Sequence, residues 1–473
     1  MRQLSALDAQ FLNFETATNV ANVGGLSVLA RDLPKEKILD RLAERMAGVP
    51  QLRRRLVCVP LGLDHPYWAD SDEVDLDHHV RELTLTPPGG DKQLAGRVAR
   101  LHARRLDRTR PLWEMYVIHG LAGGRCALYT KVHHAAVDGL TGAEVLAALM
   151  DPTPGTVAGE PEAAPGLWRM LARSAWHLAA NPAHLLRFAG EALPVLDQLP
   201  FFSRLPGARG LSRLMRREAL PELPDFAAPH TPLSGPVSSR RRYAFVELSL
   251  TDVKRVKNAF GVTVNDVVMA LAASALRRWL MEHKALPEVP LVAGVPFSVR
   301  RQVGTDEGNQ VSIMIAQLPT QVADARQRLE AVSEAMRQIK ERFALTPARL
   351  LRDLSESLPA ALNGLADRAA LDLVGRTAPP INVIVSNIPG PQSPLRIAGV
   401  RLLSHYPVSA VTDVSGGLNI TAFSYNGRLN VGITACRKLV PDAGAFSGYL
   451  RAALDELKPI RRRRDTAGSR GHA

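Results

Sequence analysis

Residues 418–435 leave little freedom in how the second half of this chain can fold. Leu418 to Tyr425 and Leu429 to Ala435 are strand-length apolar runs separated by Asn426-Gly427. A short Asn-Gly link favours a turn with left-handed backbone at both residues, so the two runs are expected to pair as an antiparallel hairpin. A second hairpin is expected from Met115 to His119, a Gly123-Gly124 turn, and Cys126 to Val132. Further strands are predicted at Val23–Leu29, Leu52–Val57, Arg242–Leu248, Leu291–Pro296 and Ile381–Ser386. Helical spacing of apolar residues marks Pro34–Met46, 91–106, 324–342, 347–374 and Ala443–Leu457. Thr251 is expected to cap a helix from Asp252 to Phe260, and Asn265 a long apolar helix from Val267 to Met281. Strands and helices mix in both halves, which predicts an α/β class with mixed sheets and no tandem repeat.

At 473 residues the chain is too long for one ordinary core. The expected division is 1–150, a connecting region 151–235, a second domain 236–460 and a basic tail 461–473. Pro, Gly, Glu and Ala dominate 151–165, a linker composition. Residues 167–217 set Trp168, Trp176, Phe188, Phe201 and Phe202 among many arginines. That pattern suits a helix at a membrane interface, and equally a helical connection packed on the protein. The net charge of +13 attracts polyanions: nucleic acid, acidic lipid headgroups or a phosphorylated cofactor. No zinc-finger or RNP pattern supports nucleic acid.

Cys58, Cys126 and Cys436 are far apart and odd in number, so no disulfide framework is expected. The N-terminus lacks a long apolar stretch, and no run of 18 apolar residues occurs, which predicts neither a signal peptide nor a spanning helix. A cytoplasmic location is expected, with the inner membrane or lipid droplets as candidate surfaces. His65, His78 and His79 lack metal-site spacing, and Asp77–Val80 is read as packing.

The chemistry concentrates in His133-His134-Ala135-Ala136-Val137-Asp138-Gly139. An apolar strand leads in and a helical run, Ala143 to Met150, leads out. A neutral histidine can take a proton from a hydroxyl near pH 7. His134 completes an H-x-x-x-D spacing, so Asp138 could fix its orientation or hold the loop by pairing with an arginine. Gly139 allows the sharp exit. His133 is expected to face the other way along an extended segment, in a supporting role. The plain alternative is a buried, hydrogen-bonded histidine pair at a strand end.

Several blocks together resemble the bacterial wax ester synthase/diacylglycerol acyltransferases. They are Leu4–Leu12, Leu106–Glu114 with its Pro111-Leu112-Trp113, His133–Gly139, Val264-Asn265-Asp266-Val267, Gly294–Arg300, Gly308–Ser312 and Ser386-Asn387-Ile388-Pro389-Gly390-Pro391. The resemblance covers nearly the whole chain except the linker and tail. It implies two chloramphenicol-acetyltransferase-like domains with a tunnel between them. It also implies transfer of a fatty acyl group from acyl-CoA, as cosubstrate without a cofactor or metal, to diacylglycerol or a long-chain alcohol.

His134 is then the general base, with His133, Asp138 and Gly139 completing its motif. Asn265 is a candidate oxyanion donor beside Asp266, its alternative being a helix cap. Pro111, Leu112 and Trp113 are motif positions that packing could equally explain. Ser386 and Asn387 are expected in a loop near the tunnel. The absence of a G-x-S-x-G motif favours direct transfer over an acyl-enzyme. Two other readings fit part of the pattern: a condensation-type enzyme using carrier-protein thioesters, and a non-catalytic lipid-binding protein. The oligomeric state is not encoded in any of these signals.

Overall fold

Both predicted hairpins form, and each grows into a sheet. The computed structural model describes residues 2–60, 64–71, 73–136, 149–151, 166, 168–170, 228–298, 311–345 and 381–458. The first half opens with Arg2–Gln3 (β1), helix Ala6–Asn13 (α1), strand Asn22–Leu29 (β2) and helix Lys35–Arg45 (α2). Arg54–Val57 (β3), Tyr67–Asp70 (β4), the single turn Leu76–His79 (α3), Val80–Thr84 (β5) and helix Asp91–His102 (α4) follow. Trp113–Leu121 (β6) and Arg125–His133 (β7) form the first hairpin, with Gly123 and Gly124 at φ 78° and 68°. A short strand, Met150–Asp151 (β8), ends the described part of this half.

The second half runs through Arg241–Ser249 (β9), helices Leu250–Phe260 (α5) and Val264–Glu282 (α6), and the antiparallel pair Leu291–Ser298 (β10) and Val311–Leu318 (β11). Helix Ala325–Leu345 (α7) and strands Val383–Pro389 (β12), Arg396–Ile397 (β13) and Val400–Val408 (β14) come next. Leu418–Tyr425 (β15) and Arg428–Cys436 (β16) pair around Asn426 (φ 45°) and Gly427 (φ 75°), as the turn residues require. Helix Phe446–Leu457 (α8) closes the fold.

Strand order is β5-β6-β7-β2-β14-β13-β8 in one sheet and β11-β10-β12-β15-β16-β9 in the other, with a small β1-β4-β3 sheet beside them. The first sheet is therefore completed by residues 396–408, which come from the second half of the chain. β14 pairs with β2, Tyr406 opposite Leu26, and then lies across β16. The approach is close: a Cβ on Gly432 would sit 1.8 Å from the carbonyl oxygen of Pro407, so only glycine fits there. Tyr243 donates its hydroxyl to that same carbonyl at 3.1 Å. A division of the chain near residue 236 thus separates sequence segments but does not separate the sheets.

Each sheet buries apolar side chains at the period its strands dictate. In the first sheet, α4 packs Leu94, Val98 and Leu101 on Leu26, Ile118 and Tyr129, while Ile38, Leu42, Trp113 and Val132 fill the opposite face. In the second, α6 lies in the core with Val267, Leu271, Ala275 and Trp279 buried beside α7 and α8. From Val267 to Leu276 every residue of α6 is buried, because protein surrounds that stretch, while Arg278 and Glu282 near its end are exposed. Among the described residues no single helix is long and apolar enough to cross a membrane.

Three local expectations are corrected. Ser249, not Thr251, caps α5, and Thr263, not Asn265, caps α6. Both true caps hold extended backbone, whereas Thr251 and Asn265 already lie within the first helical turn. The strand expected to stop at Ser386 continues to Pro389, because β12 pairs in parallel with β15 from Ile384–Asn419 through Pro389–Ser424. Its pairing with β10 ends at Ile384, so Pro389 sits where a missing N–H is tolerated. Ser386 and Asn387 are strand residues, and no loop begins before Gly390. The predicted linker after Asp151, most of 167–217, the helix at 347–374 and the basic tail lie outside the described residues.

Candidate active site

The two motif histidines sit where β7 stops being a strand. Antiparallel pairing with β2 continues to Asn22 opposite His133. The backbone N–H of His133 donates to Leu112 O at 3.0 Å, and that of His134 to Ala21 O at 2.8 Å. The chain then tightens into a 3-10 turn, His134–Ala136, with Ala135 and Ala136 buried in the core. The change of geometry sends the two imidazoles to different surroundings. His134 is half-buried, and its ring stacks on Phe11 of α1 with centroids 3.9 Å apart and planes 18° apart. His133 is fully buried, and its Nδ1 accepts the backbone N–H of Ala135 at 3.1 Å.

Both rings are neutral near pH 7. Burial lowers the pKa of His133 to about 3, helped by the positive charge of Arg108 and by His134. Burial lowers that of His134 to about 4, against a contact with its own carbonyl oxygen that favours the protonated ring. Among the described residues the buried Nδ1 of His134 makes no hydrogen bond.

Pro111-Leu112-Trp113 backs this turn. Leu112 supplies the carbonyl that holds His133, and the indole of Trp113 donates to Leu52 O at 3.0 Å. His79 stacks on Trp113 (4.3 Å, 19°) and donates Nδ1–H to Trp113 O at 2.7 Å. These contacts give His79 a packing role, as its sequence context suggested. Pro111 borders a cleft of about 240 Å3 shared with Arg55 and Arg110. On the sheet face that carries His133, Lys131 is fully buried, with Nζ 2.7 Å from Glu114, and donates to Arg104 O at 3.2 Å. Asn22 donates to the same carbonyl at 2.7 Å, so the end of α4 is clamped from two strands. Among the described residues no group of His, Cys, Asp or Glu is arranged to hold a metal ion.

The remaining motif residues lie in the second half of the chain. Asp266 is buried and completes a capping box: its carboxylate accepts Thr263 N–H at 2.9 Å while Thr263 Oγ1 accepts Asp266 N–H at 3.1 Å. Ser333 adds a 3.3 Å hydrogen bond to the same carboxylate oxygen. Asn265 is half-buried on the first turn of α6. Alternation along β12 puts Ser386 on the face of Ile388, which packs against the first-half core, and Asn387 on the face of Val383 and Val385. Among the described residues, no hydrogen bond or ring contact joins Asn265, Asp266, Ser386 or Asn387 to either motif histidine. Asp138 and Gly139 lie outside the described residues.

Residues 4–268 match the family described as wax ester synthase/diacylglycerol acyltransferase catalytic domain, and residues 307–458 match its C-terminal domain. The chain belongs to the wax ester synthase/diacylglycerol acyltransferase family. It is 38% identical over 465 residues to a Mycobacterium tuberculosis protein named as a diacylglycerol O-acyltransferase, covering 97% of this chain and 90% of that one. A solved wax ester synthase/diacylglycerol acyltransferase from Marinobacter aquaeolei VT8 is similar at 29% identity and a TM-score of 0.68, covering 97% and 98% of the two chains. The first condensation domain of the calcium-dependent antibiotic synthetase shares the fold at 17% identity and a TM-score of 0.54, covering 97% of each chain. This family member is thus an acyltransferase with the mixed α/β architecture that its motifs implied.

Three residues around the histidines of this acyltransferase were not singled out from sequence. Phe11 and Arg108 fall inside quoted blocks but carried no role. Glu15 had no signal at all, since an acidic residue after a short helix reads as surface until its burial is known. Its side chain is buried, with one oxygen 3.7 Å from His133 Nε2 and the other 2.9 Å from Arg108 Nη2.

The capping geometry also makes a prediction for this family's Asn-Asp pair. Asp266→Ala should cost about 1–2 kcal/mol of stability through the lost cap, with kcat of the remaining folded enzyme little changed. Urea unfolding alongside initial-rate kinetics checks this, and a collapse of kcat at unchanged stability would move Asp266 into the reaction.

Proposed function

We propose that this acyltransferase moves a fatty acyl group from acyl-CoA to diacylglycerol or a long-chain alcohol, with His134 as general base. The observation that carries the reading is the His134 ring itself: at the end of β7, stacked on Phe11 and held neutral by burial, with Nδ1 buried, so that Nε2 is taken as the acceptor. Nε2 takes the proton from the acceptor hydroxyl as that oxygen bonds to the thioester carbonyl carbon. The tetrahedral intermediate collapses, the C–S bond breaks, and the imidazolium returns its proton to the thiolate sulfur. A ring with so low a pKa is a strong acid once protonated, which suits delivery to the leaving thiolate. His133 supports the turn, while Asp138 and Gly139 are assigned to shaping the loop beyond it. Asn265 stays a candidate oxyanion donor, and Ser386 the member of its pair on the face toward the first-half core.

The enzyme is assigned to the cytoplasm as part of this proposal, and the net charge of +13 and the 81% exposure of Trp168 support its working at an anionic lipid surface. The test is a side-by-side assay with labelled palmitoyl-CoA and either hexadecanol or diacylglycerol, presented in vesicles with and without anionic phospholipid. Ester formation that is faster on anionic vesicles is expected. Ester from an acyl carrier protein thioester but not from palmitoyl-CoA would overturn the donor assignment. Equal rates on both vesicle types would overturn the surface assignment.

A further inference from the structure

Helix α1 brings two side chains to the histidine turn, and only Phe11 touches the proposed base. Glu15, just beyond the helix, points at the other histidine. We infer that Glu15 is a positioning residue: with Arg108 it holds His133 with its proton on Nε2, so that Nδ1 stays free to cap the turn carrying His134. The inference rests on the reading of His134 as the base.

Ala135 N–H donates to His133 Nδ1 at 3.1 Å. A neutral imidazole has one donor and one acceptor nitrogen. If Nδ1 accepts, Nε2 carries the proton. His133 is neutral because it is fully buried beside the Arg108 charge. Its bond to Ala135 spans two residues, the same closure an Asn or Asp side chain makes in an Asx turn. It fixes the first peptide units of the turn His134–Ala136, and hence where the His134 ring projects. The other tautomer would set an Nδ1–H against the Ala135 N–H, and the turn would lose its only side-chain closure among the described contacts.

Something must therefore favour the proton on Nε2. Glu15 Oε1 lies 3.7 Å away, and among the described residues neither atom has a hydrogen-bond partner. That separation is too long for a hydrogen bond but close enough for a carboxylate to orient an N–H dipole in a buried setting. Glu15 is itself held. Arg108 Nη2 donates to its Oε2 at 2.9 Å and to Leu12 O, near the end of α1, at 2.7 Å. The same helix presents Phe11 to the face of His134. One short helix thus sets both imidazoles: the first through charge and tautomer, the second through stacking.

Four variants test this: Glu15→Ala, Glu15→Gln, His133→Asn, and Glu15→Ala combined with His133→Asn. An asparagine at 133 can accept from Ala135 N–H through Oδ1 and has no tautomer to lose. Glu15→Ala should lower kcat about tenfold with little change in KM for palmitoyl-CoA. Glu15→Gln, which keeps an oxygen facing Nε2–H, should recover most of that loss. In the His133→Asn background, Glu15→Ala should cost less than about twofold. Imidazole nitrogen NMR on histidine-labelled enzyme should show His133 protonated at Nε2, and a mixture of tautomers in Glu15→Ala. Equal costs in both backgrounds, or a His133 signal indifferent to Glu15, would overturn the inference and leave Glu15 as an Arg108 partner only. Should Glu15→Ala fail to fold, the Glu15→Gln kinetics and the NMR comparison decide. A His134→Ala control separates the two claims: full turnover there removes the base assignment, whereas a dead His134→Ala beside a wild-type Glu15→Ala removes only the role of Glu15.

Discussion

Replacing His134 with alanine is expected to lower kcat by about a hundred- to ten-thousand-fold, the range that a positioned general base contributes. The loss should fall on kcat rather than on KM, because the ring meets the acceptor proton as the new C–O bond forms. Fold should survive. His134 is half-buried, its neighbours Ala135 and Ala136 hold the core contacts, and the backbone bond to Ala21 needs no side chain. The decisive measurement pairs initial rates with circular dichroism on the same preparation. A folded variant that turns over at the wild-type rate would sink the assignment. The wild-type pH profile gives a second reading. With the pKa of His134 at about 4, its base form persists well below pH 6.5. The quantity kcat/KM should show no inflection near the ordinary histidine value, and its acid limb should appear only as the protein itself begins to unfold.

Acid stability should be unusually poor, and the reason is structural. His102 and His133 have pKa values of about 3, and His134 and His405 of about 4, chiefly because burial disfavours the charged ring. In the unfolded chain all four return to about 6.5. Above that value neither state binds these protons, and their burial carries no pH penalty. As pH falls below about 6.5 the unfolded chain binds protons that the folded protein refuses, so stability drops until the folded pKa values are reached. Each ring contributes a slope of about 1.4 kcal/mol per pH unit, so four together give about 5 kcal/mol per unit between pH 6 and 4. That is as large as the whole stability of many domains. Urea midpoints at pH 7.5, 6 and 5 should fall steeply across the series. A midpoint unchanged from pH 7.5 to 5 would mean that these rings are not buried neutral as described.

The histidines also show how unevenly the structure was legible. His134 and His133 announced themselves by spacing, and His79 was correctly read as packing. His405 drew no attention, yet it lies 2.9 Å from Ser27 Oγ in the first sheet, over a glycine whose Cβ would strike its ring. His102 bridges Tyr129 and Ser409 O at 2.8 and 3.1 Å, a contact between halves with no local mark in the chain. The Asn-Asp pair misled in a different way. Asn265 has the right chemistry for a cap, but the cap position belongs to the residue that still has extended backbone, Thr263, and only the fold places that boundary.

By itself the sequence determined whatever depends on near neighbours. Asn426-Gly427 set a hairpin because its turn needs left-handed backbone at both residues, and period-two and helical patterns placed the main strands and helices to within a few residues. The order of the motif blocks was enough to name the family. Tertiary structure alone decided that β14, from the second half, completes the first sheet. It alone put Phe11, Glu15 and Arg108 around the histidine turn. Glu15 and Arg108 meet across 93 positions, and Phe11 reaches His134 across more. Such contacts form when distant apolar faces bury each other, and a buried carboxylate is recognisable only after the groups that enclose it have been brought there. The histidine motif marked the place where the chemistry lies, and packing of the N-terminal helix, more than a hundred positions away, settled how its two rings are held.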